Sequence, residues 1–457
     1  MLSDNDFGVL KLCLAWASVV WWGFIVLLGA LGCNTARKRY RKRAQLPRAS
    51  SPASSVPGVS ILRPLKGLDT NLYENLESTF TQEYPNYEIF LCVADENDQA
   101  LPVVNDLIAK YPDVNAHVMI GDEAVGVNPK INNLIRSYRQ AAHDIVWVLD
   151  SNVMVAPGTL ANSVNALDGP ADIPSRSSRR RIALVHHVPL AWSSEYSLGS
   201  RIEEAFLNTN HAKMYLAINT VAVDSCVVGK SNLYRRSDLE RVDGSLKPIA
   251  DSTEGGVQQG ERGLVAFGRF LAEDNMIASA LWHELGLRHD LSCDVARNAV
   301  GSMTLADYVW RRVRWVRVRK RMVFAATMLE PFTESVVAGI LASTGLRYIL
   351  DTPRWLFLTV HFLFWVSVDM DVAASLAGRT VVSGPFLAAW VVREILALPI
   401  WLLAIVGNQV EWRGKRYEVM QSGEVRRVTQ GGGWAEYLFG WKSKTTSNYE
   451  LLSTTDE

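Results

Sequence analysis

The chain has 457 residues, with 47 Lys and Arg against 47 Asp and Glu, 48% hydrophobic residues and 15 Trp. A formal net charge of zero argues against a general nucleic-acid binder, which meets phosphate with an excess of basic residues, and this much apolar surface excludes a disordered chain. The five cysteines, Cys13, Cys33, Cys92, Cys226 and Cys293, are dispersed without a CxxC pair, which argues against a disulfide framework and reads as small buried hydrophobes.

From Leu12 to Cys33 no residue is charged, and about 20 apolar residues suffice to cross a bilayer core. Asp4 and Asp6 precede this segment, and Arg37, Lys38, Arg39, Arg41, Lys42, Arg43 and Arg48 follow it. That charge order is the reverse of a cleaved signal peptide. The positive-inside rule makes residues 1–33 a retained anchor and places the following chain in the cytosol. Residues 34–58 read as a basic, then Ser/Pro-rich, linker.

A folded domain is expected over 59–322. Apolar runs Val59–Leu62, Glu88–Val93, Val118–Ile120 and Ile145–Leu149 alternate with helical patterns near Asn71–Thr81, Pro102–Lys110 and Pro129–Gln140. This alternation signifies βαβ units and a parallel sheet. Two polar stretches, Asp168–Arg181 and Gly244–Gly263, read as surface loops, more as tolerated insertions than as lids. A helix is expected over Asn275–Leu285, and another along LADYVWRRVRWVRVRKRM from Leu305.

Three apolar stretches follow, near 333–350, 354–377 and 386–407. The second and third read as membrane spans; the first, broken by Pro331, reads as interfacial. Glu330, Glu334, Asp369, Asp371, Arg393 and Glu394 fall in or beside them, and such groups face protein, water or headgroups. Arg413, Lys415 and Arg416 in the tail 408–457 favour a cytosolic C-terminus.

Several acids are placed for chemistry. Asp95 and Asp150 each follow a strand, where open α/β sheets bind ligands, although a loop Asp often merely caps the next helix. Asp150-Ser151-Asn152 has the shape of a DxD element with Asn second, and one or two protein carboxylates suffice for Mg²⁺ beside phosphate and water. Glu273-Asp274 opens a helix, as a cap or as a general base toward an acceptor hydroxyl. Arg311, Arg314 and Trp315 lie on one helix. Guanidinium suits a diphosphate and indole a sugar, while the basic run itself also fits a membrane-proximal position.

The order Asp95, Asp150, Glu273-Asp274, Arg311-x-x-Arg314-Trp315 resembles the D, D, D, (Q/R)xxRW signature of membrane-bound GT-A glycosyltransferases. The segments LRPLKGLD, YPNYEIFLCVADEND, VGVNPKINNL and FLAEDNMIASAL are similar to those of ceramide glucosyltransferases over about residues 59–321. The resemblance implies a Rossmann-like α/β catalytic domain in the cytosol, flanked by transmembrane helices, in a Golgi or endoplasmic reticulum membrane. It implies inverting transfer of glucose from UDP-glucose to the primary hydroxyl of ceramide, with Mg²⁺ or Mn²⁺. It places Asp95 near the uridine, Lys130 with Asn133 and Arg311 on the donor side, Asp150 at the metal, Asp274 as the base, Arg314 and Trp315 in the terminal motif, and His211 and Cys226 on the acceptor side. A processive polysaccharide synthase and a non-catalytic membrane adaptor or transporter remain as alternatives. The oligomeric state and the glucose-over-galactose choice are open.

Overall fold

The structure, a computed structural model, describes residues 4–41, 56–169, 180–193, 196–249, 261–412, 414–420 and 422–428. Of the expected linker at 34–58, residues 34–41 are instead helical, continuing the first helix, and 42–55 lie outside the described residues, as do the centres of both polar loops.

The chain opens with α1 (Asp4–Ala36), prolonged by a π-helical turn over Arg37–Arg41. There follow β1 (Val59–Leu65), α2 (Leu72–Phe80), β2 (Tyr87–Val93), α3 (Ala100–Lys110), β3 (Ala116–Ile120), α4 (Pro129–Gln140) and β4 (Ile145–Leu149). β1, β2 and β4 are buried on both faces, which is why they read as unbroken apolar runs. α4 starts where it does because Asn128 caps it, accepting from the Lys130 amide at 2.8 Å, and Pro129 sits where no N–H is needed.

Next come β5 (Val153–Met154), α5 (Thr159–Asp168), β6 (Ile182–Trp192), α6 (Leu198–Phe206), a π-helical turn at Leu207–His211 and α7 (Ala212–Val221). They are followed by β7 (Ser231–Arg235), α8 (Arg236–Leu239), α9 (Glu273–His283) and β8 (Arg288–Ala299). Among the described residues one sheet has the order β3-β2-β1-β4-β7-β6-β8-β5. Its first four strands are parallel, as the alternation implies. β7, however, is antiparallel to both β4 and β6, so the sheet is mixed. Helices continue to separate the strands after β5, but α6 and α7 bring the chain back so that β7 enters between β4 and β6 running opposite to both.

Two cores flank the sheet. Ile61, Leu91 and Trp147 pack with Leu76 of α2, Leu107 of α3 and Leu160 of α5. Leu62, Phe90 and Val146 pack with Ile131 and Leu134 of α4 and Ile277 of α9. Each fully buried aliphatic contributes about 1.5–3 kcal/mol, enough to fix α4 and α9 with their N-terminal turns over the carboxyl ends of β1, β2 and β4.

α10 (Leu305–Met322) begins with a capping box between Thr304 and Asp307. α11 (Phe324–Leu329), α12 (Ser335–Leu350), α13 (Arg354–Ala377) and α14 (Gly384–Val406) follow. Phe7–Arg41, α13 and α14 are each long and apolar enough to cross a membrane, and Phe324–Thr333 with α12, bent by 67°, makes a fourth candidate. α1 is sewn to the catalytic sheet, for Cys33, Ala36 and Tyr40 are buried with Val188 and Leu190 of β6 and Leu291 and Val295 of β8. Gly32 lets α1 also lie close against α7, since a Cβ there would stand 2.1 Å from the Lys213 carbonyl oxygen.

The expected tail contains a small antiparallel sheet: β9 (Gln409–Trp412), β10 (Lys415–Val419) and β11 (Val425–Arg427). Its Val410, Tyr417, Val419 and Val425 pack on Val127, Leu271 and Val318.

Candidate active site

Asp150, at the carboxyl end of β4, accepts from two lysines: Lys130 Nζ to Oδ1 at 2.8 Å and Lys230 Nζ to Oδ2 at 3.0 Å. Lys130 comes from the first turn of α4 and also pairs with Glu273 Oε1 at 2.9 Å. Glu273, in the first turn of α9, accepts from Asn128 Nδ2 at 2.8 Å, so the N-termini of α4 and α9 are tied together over the strand end. Burial would raise the Asp150 carboxyl, but Lys130 and Lys230 outweigh it and hold it well below the usual range. Burial likewise works against the Lys130 charge, but Asp150, Glu273 and Asp274 prevail and keep it protonated.

Asp274 stands in the first turn of α9, which begins at Glu273, two residues before the expected start at Asn275. Burial and then the neighbouring Glu273 push its carboxyl up to about 7, against the opposing pull of Lys130. A carboxylate so tuned is an effective proton acceptor near neutral pH. It lies against the backbone of Gly229, in the loop that also supplies Lys230.

The turn carrying Asp150 is held from beneath. Buried Arg63 donates to the Val153 carbonyl through both Nη atoms at 3.1 Å, and Ser151 Oγ donates to Asp69. Asp95, exposed past the end of β2, accepts from the Asn97 amide at 2.7 Å. Asn133 Nδ2 donates to the Leu65 and Cys92 carbonyls at 3.2 and 3.0 Å, fixing the ends of β1 and β2, while its buried Oδ1 has no partner among the described residues.

The α10 motif forms a second group. Arg311 Nε donates to Glu203 Oε1 at 2.8 Å, and its guanidinium lies 5.4 Å from the Trp315 ring. Arg314 Nη1 donates to the Glu411 carbonyl of β9 at 3.4 Å. Trp315 lies 6.2 Å from His211, which stacks on Tyr215 at 5.6 Å. Burial drives His211 down to about 3, with Arg312, Arg319 and Arg393 adding to it, so the ring is neutral. Its Nδ1 is buried without a partner among the described residues. Tyr215 in turn accepts from the Val228 amide at 3.2 Å, next to Gly229, which links this group to the wall beside Asp274. The Cys226 thiol is pushed up to about 11 by burial and packs, half-buried, against the apolar cluster of β6, α7 and β8.

Lys130, Asp150 and Asp274 thus share one cluster; Arg311, Trp315 and His211 share another, and Asp95 and Asn133 sit at the strand ends between sheet and cleft. Lys230 was not legible as a site residue, because nothing in GKSNLYRR marks a lysine whose loop folds back onto β4. Asp150 Oδ2 and Asn152 Oδ1 both face its ammonium, at 3.0 and 3.1 Å. The two oxygens therefore converge on a single cation position, and a carboxylate with an amide oxygen is a hard donor pair that fits Mg²⁺ or Mn²⁺. Among the described residues no group of three or more His, Cys, Asp or Glu could hold a metal ion.

The profile of glycosyl transferase family 21 matches residues 23–252 and 258–425. A ceramide glucosyltransferase of Komagataella phaffii is 37% identical over 470 residues, spanning 90% of this chain and 91% of that protein. One from Candida albicans is 33% identical, spanning 79% and 86%. Among solved structures, a mannosyltransferase from Pyrobaculum calidifontis in complex with GDP-Man and Mn²⁺ aligns over 86% of this chain and 99% of its own, with TM-score 0.47 and 16% identity.

Proposed function

The chain belongs to glycosyl transferase family 21, and from that premise we propose that it glucosylates ceramide, taking glucose from UDP-glucose with inversion. The observation that carries the reading is the cluster at the end of β4, where Lys130 and Lys230 both donate to Asp150, Lys130 also pairs with Glu273, and the neighbouring Asp274 carboxyl is raised to about 7.

In this reading Asp274 takes the proton of the primary hydroxyl as that oxygen attacks the anomeric carbon, and UDP departs on the opposite face. One base and no protein nucleophile suffice for a single displacement, unlike the paired carboxylates of a retaining glycosidase. Lys130 and Lys230, with the exposed amides at the start of α4, favour the charge growing on the leaving diphosphate. Arg314 and Arg311 approach from α10, Trp315 and neutral His211 receive the acceptor, and Asp95 with Asn133 borders the nucleoside. A divalent ion, when bound, supplies Lewis-acid neutralisation of the diphosphate; Asp150 and Asn152 are the residues to hold it.

The apolar helices suit a lipid acceptor, because ceramide is found only at a bilayer and the site must be kept there. The basic residues after Cys33 favour the cytosolic side for the catalytic domain, and the resemblance to ceramide glucosyltransferases supports a Golgi or endoplasmic reticulum membrane. The test is transfer from UDP-glucose to ceramide in membranes carrying the chain, beside Asp274→Asn. A single glucosylceramide product lost in the variant is expected. Unchanged turnover in Asp274→Asn would remove the base, and a growing polymer would reassign the acceptor.

A further inference from the structure

Helix α14 is as apolar as a span, yet both of its ends rest on the catalytic domain. At its start, α13 delivers the chain with Asp371 paired to Arg37 and Arg41, and with Leu376 buried beside Val188 and Leu190 of β6. At its end, the Gly407 carbonyl accepts from Lys320 Nζ at 2.7 Å and the Gln409 carbonyl from Arg317 Nη1 at 2.6 Å, after which β9 to β11 pack on Val127 and Leu271. Between these points Phe386 and Trp390 pack in one cluster with Ile202 and Phe206 of α6, and Ile400 and Ala404 join Val313 and Val316 of α10 in it. Arg393 is turned inward onto Glu334 at 2.6 Å. A single helix with both ends on one domain makes no net crossing.

The neighbouring helices agree with this count. α13 runs parallel to α1, with Asp371 beside Cys33 and Phe357 and His361 beside Trp22. α12 runs the opposite way, from the Phe332 carbonyl at Trp21 to Gly345 against Ala15 and Ser18. α12 and α13 therefore go out and back, returning the chain to the side on which α14 and the small sheet lie.

The outer face of α14 presents Val391, Ile395, Leu398, Leu402 and Val406, spaced by four, three, four and four residues, all exposed and in one stripe. α14 shares its buried cluster with Ile25 of α1, whose neighbours Phe24 and Leu27 are exposed on the apolar outer surface of that helix. That continuity selects a bilayer as its partner.

We propose that α14 is an in-plane helix embedded in the acyl–headgroup boundary, and that α1, α12 and α13 are the crossings. This exchanges the roles the hydropathy pattern assigns to 333–350 and 386–407. It also lays α10, with Trp315 and its neighbour His211, along the membrane surface, so that a lipid hydroxyl reaches the site sideways without leaving the bilayer.

The experiment uses the full chain in lipid nanodiscs with Cys13 replaced by Ala and nitroxide labels at Val391, Leu398 or Val406, each compared with the unlabelled-site background. Oxygen and nickel-chelate accessibilities should report one shallow depth for all three. A crossing helix would instead separate Val391 and Val406 by about 22 Å in depth, and labels in water throughout would mean no lipid contact; either overturns the proposal. Independently of labels, a glycosylation acceptor loop inserted at Thr352 should be modified in microsomes and one appended after Glu457 should not. Modification of the second would make α14 a span.

Discussion

Gly229 and Asp274 lie in such close contact that a Cβ on the glycine would stand 2.5 Å from the carboxylate Oδ2 and 2.6 Å from its Cγ. No side chain fits there without moving the base. Gly229→Ala should therefore lower kcat by about 10²-fold, the scale of a misplacement near 1 Å, while the thermal midpoint changes little. Wild-type turnover in this variant would show that Asp274 need not occupy this position.

Asp274→Asn keeps the shape of the side chain and removes its basicity. We expect kcat to fall by about 10²–10⁴-fold, the usual contribution of a positioned base. UDP affinity, measured calorimetrically, should stay within about twofold, since the nucleotide is met by Lys130, Lys230 and the strand ends.

The acid limb of kcat/KM should have its midpoint near 7, because Asp274 must be ionised and its carboxyl is raised to about 7. Activity is full above that pH and lost as pH falls through it. Glu273 is a like charge that raises Asp274, so Glu273→Gln lowers it and should move the limb toward lower pH. A limb that stays in place would assign the titration to another group.

Lys230 fills the cation position between Asp150 and Asn152. Lys230→Met should let the donor-free protein bind Mn²⁺ about tenfold more tightly, equivalent to ~1.4 kcal/mol, as read from water proton relaxation. Equal binding by both proteins would show that the ammonium does not compete there.

Lys213 and Asp369 form a buried pair at 2.6 Å joining α7 to α13. Lys213→Met leaves an unpaired buried carboxylate and should cost about 3–5 kcal/mol, seen as earlier thermal inactivation. Adding Asp369→Asn should recover much of the loss, because the uncompensated charge is then gone.

The legible part of the fold is the part built from local rules. α4 begins at its Asn-Pro signal and β4 matches its apolar run residue for residue, because cap, proline and continuous burial are written in neighbouring positions. β6 and β8 escaped notice because IALVHHVPLAW and RHDLSCDVARNA carry His, Pro and charges that are satisfied only by partners distant in sequence, as when His186 Nδ1 meets Tyr215. Asp150 and Asp274 were visible as acids at element ends. Their cage of Lys130, Lys230 and Glu273 depends on three separate segments meeting, which spacing cannot express. Hydropathy likewise measures length and apolarity, so it could not tell α14 from a span when the difference lies in where its two ends are held.

The small sheet after α14 gives synthesis a direction. Phe270 bridges to Glu424, Arg269 pairs with Glu424 at 3.2 Å, and Arg314 reaches the Glu411 carbonyl, so the segment leading into α9, whose Phe270 carbonyl accepts from Asn128, is packed by strands translated after every apolar helix. The ribosome must deliver the whole membrane-embedded portion before this packing exists. A nascent or prematurely terminated chain consequently carries every apolar helix before the contacts of Arg269, Phe270 and Arg314 with these strands can form.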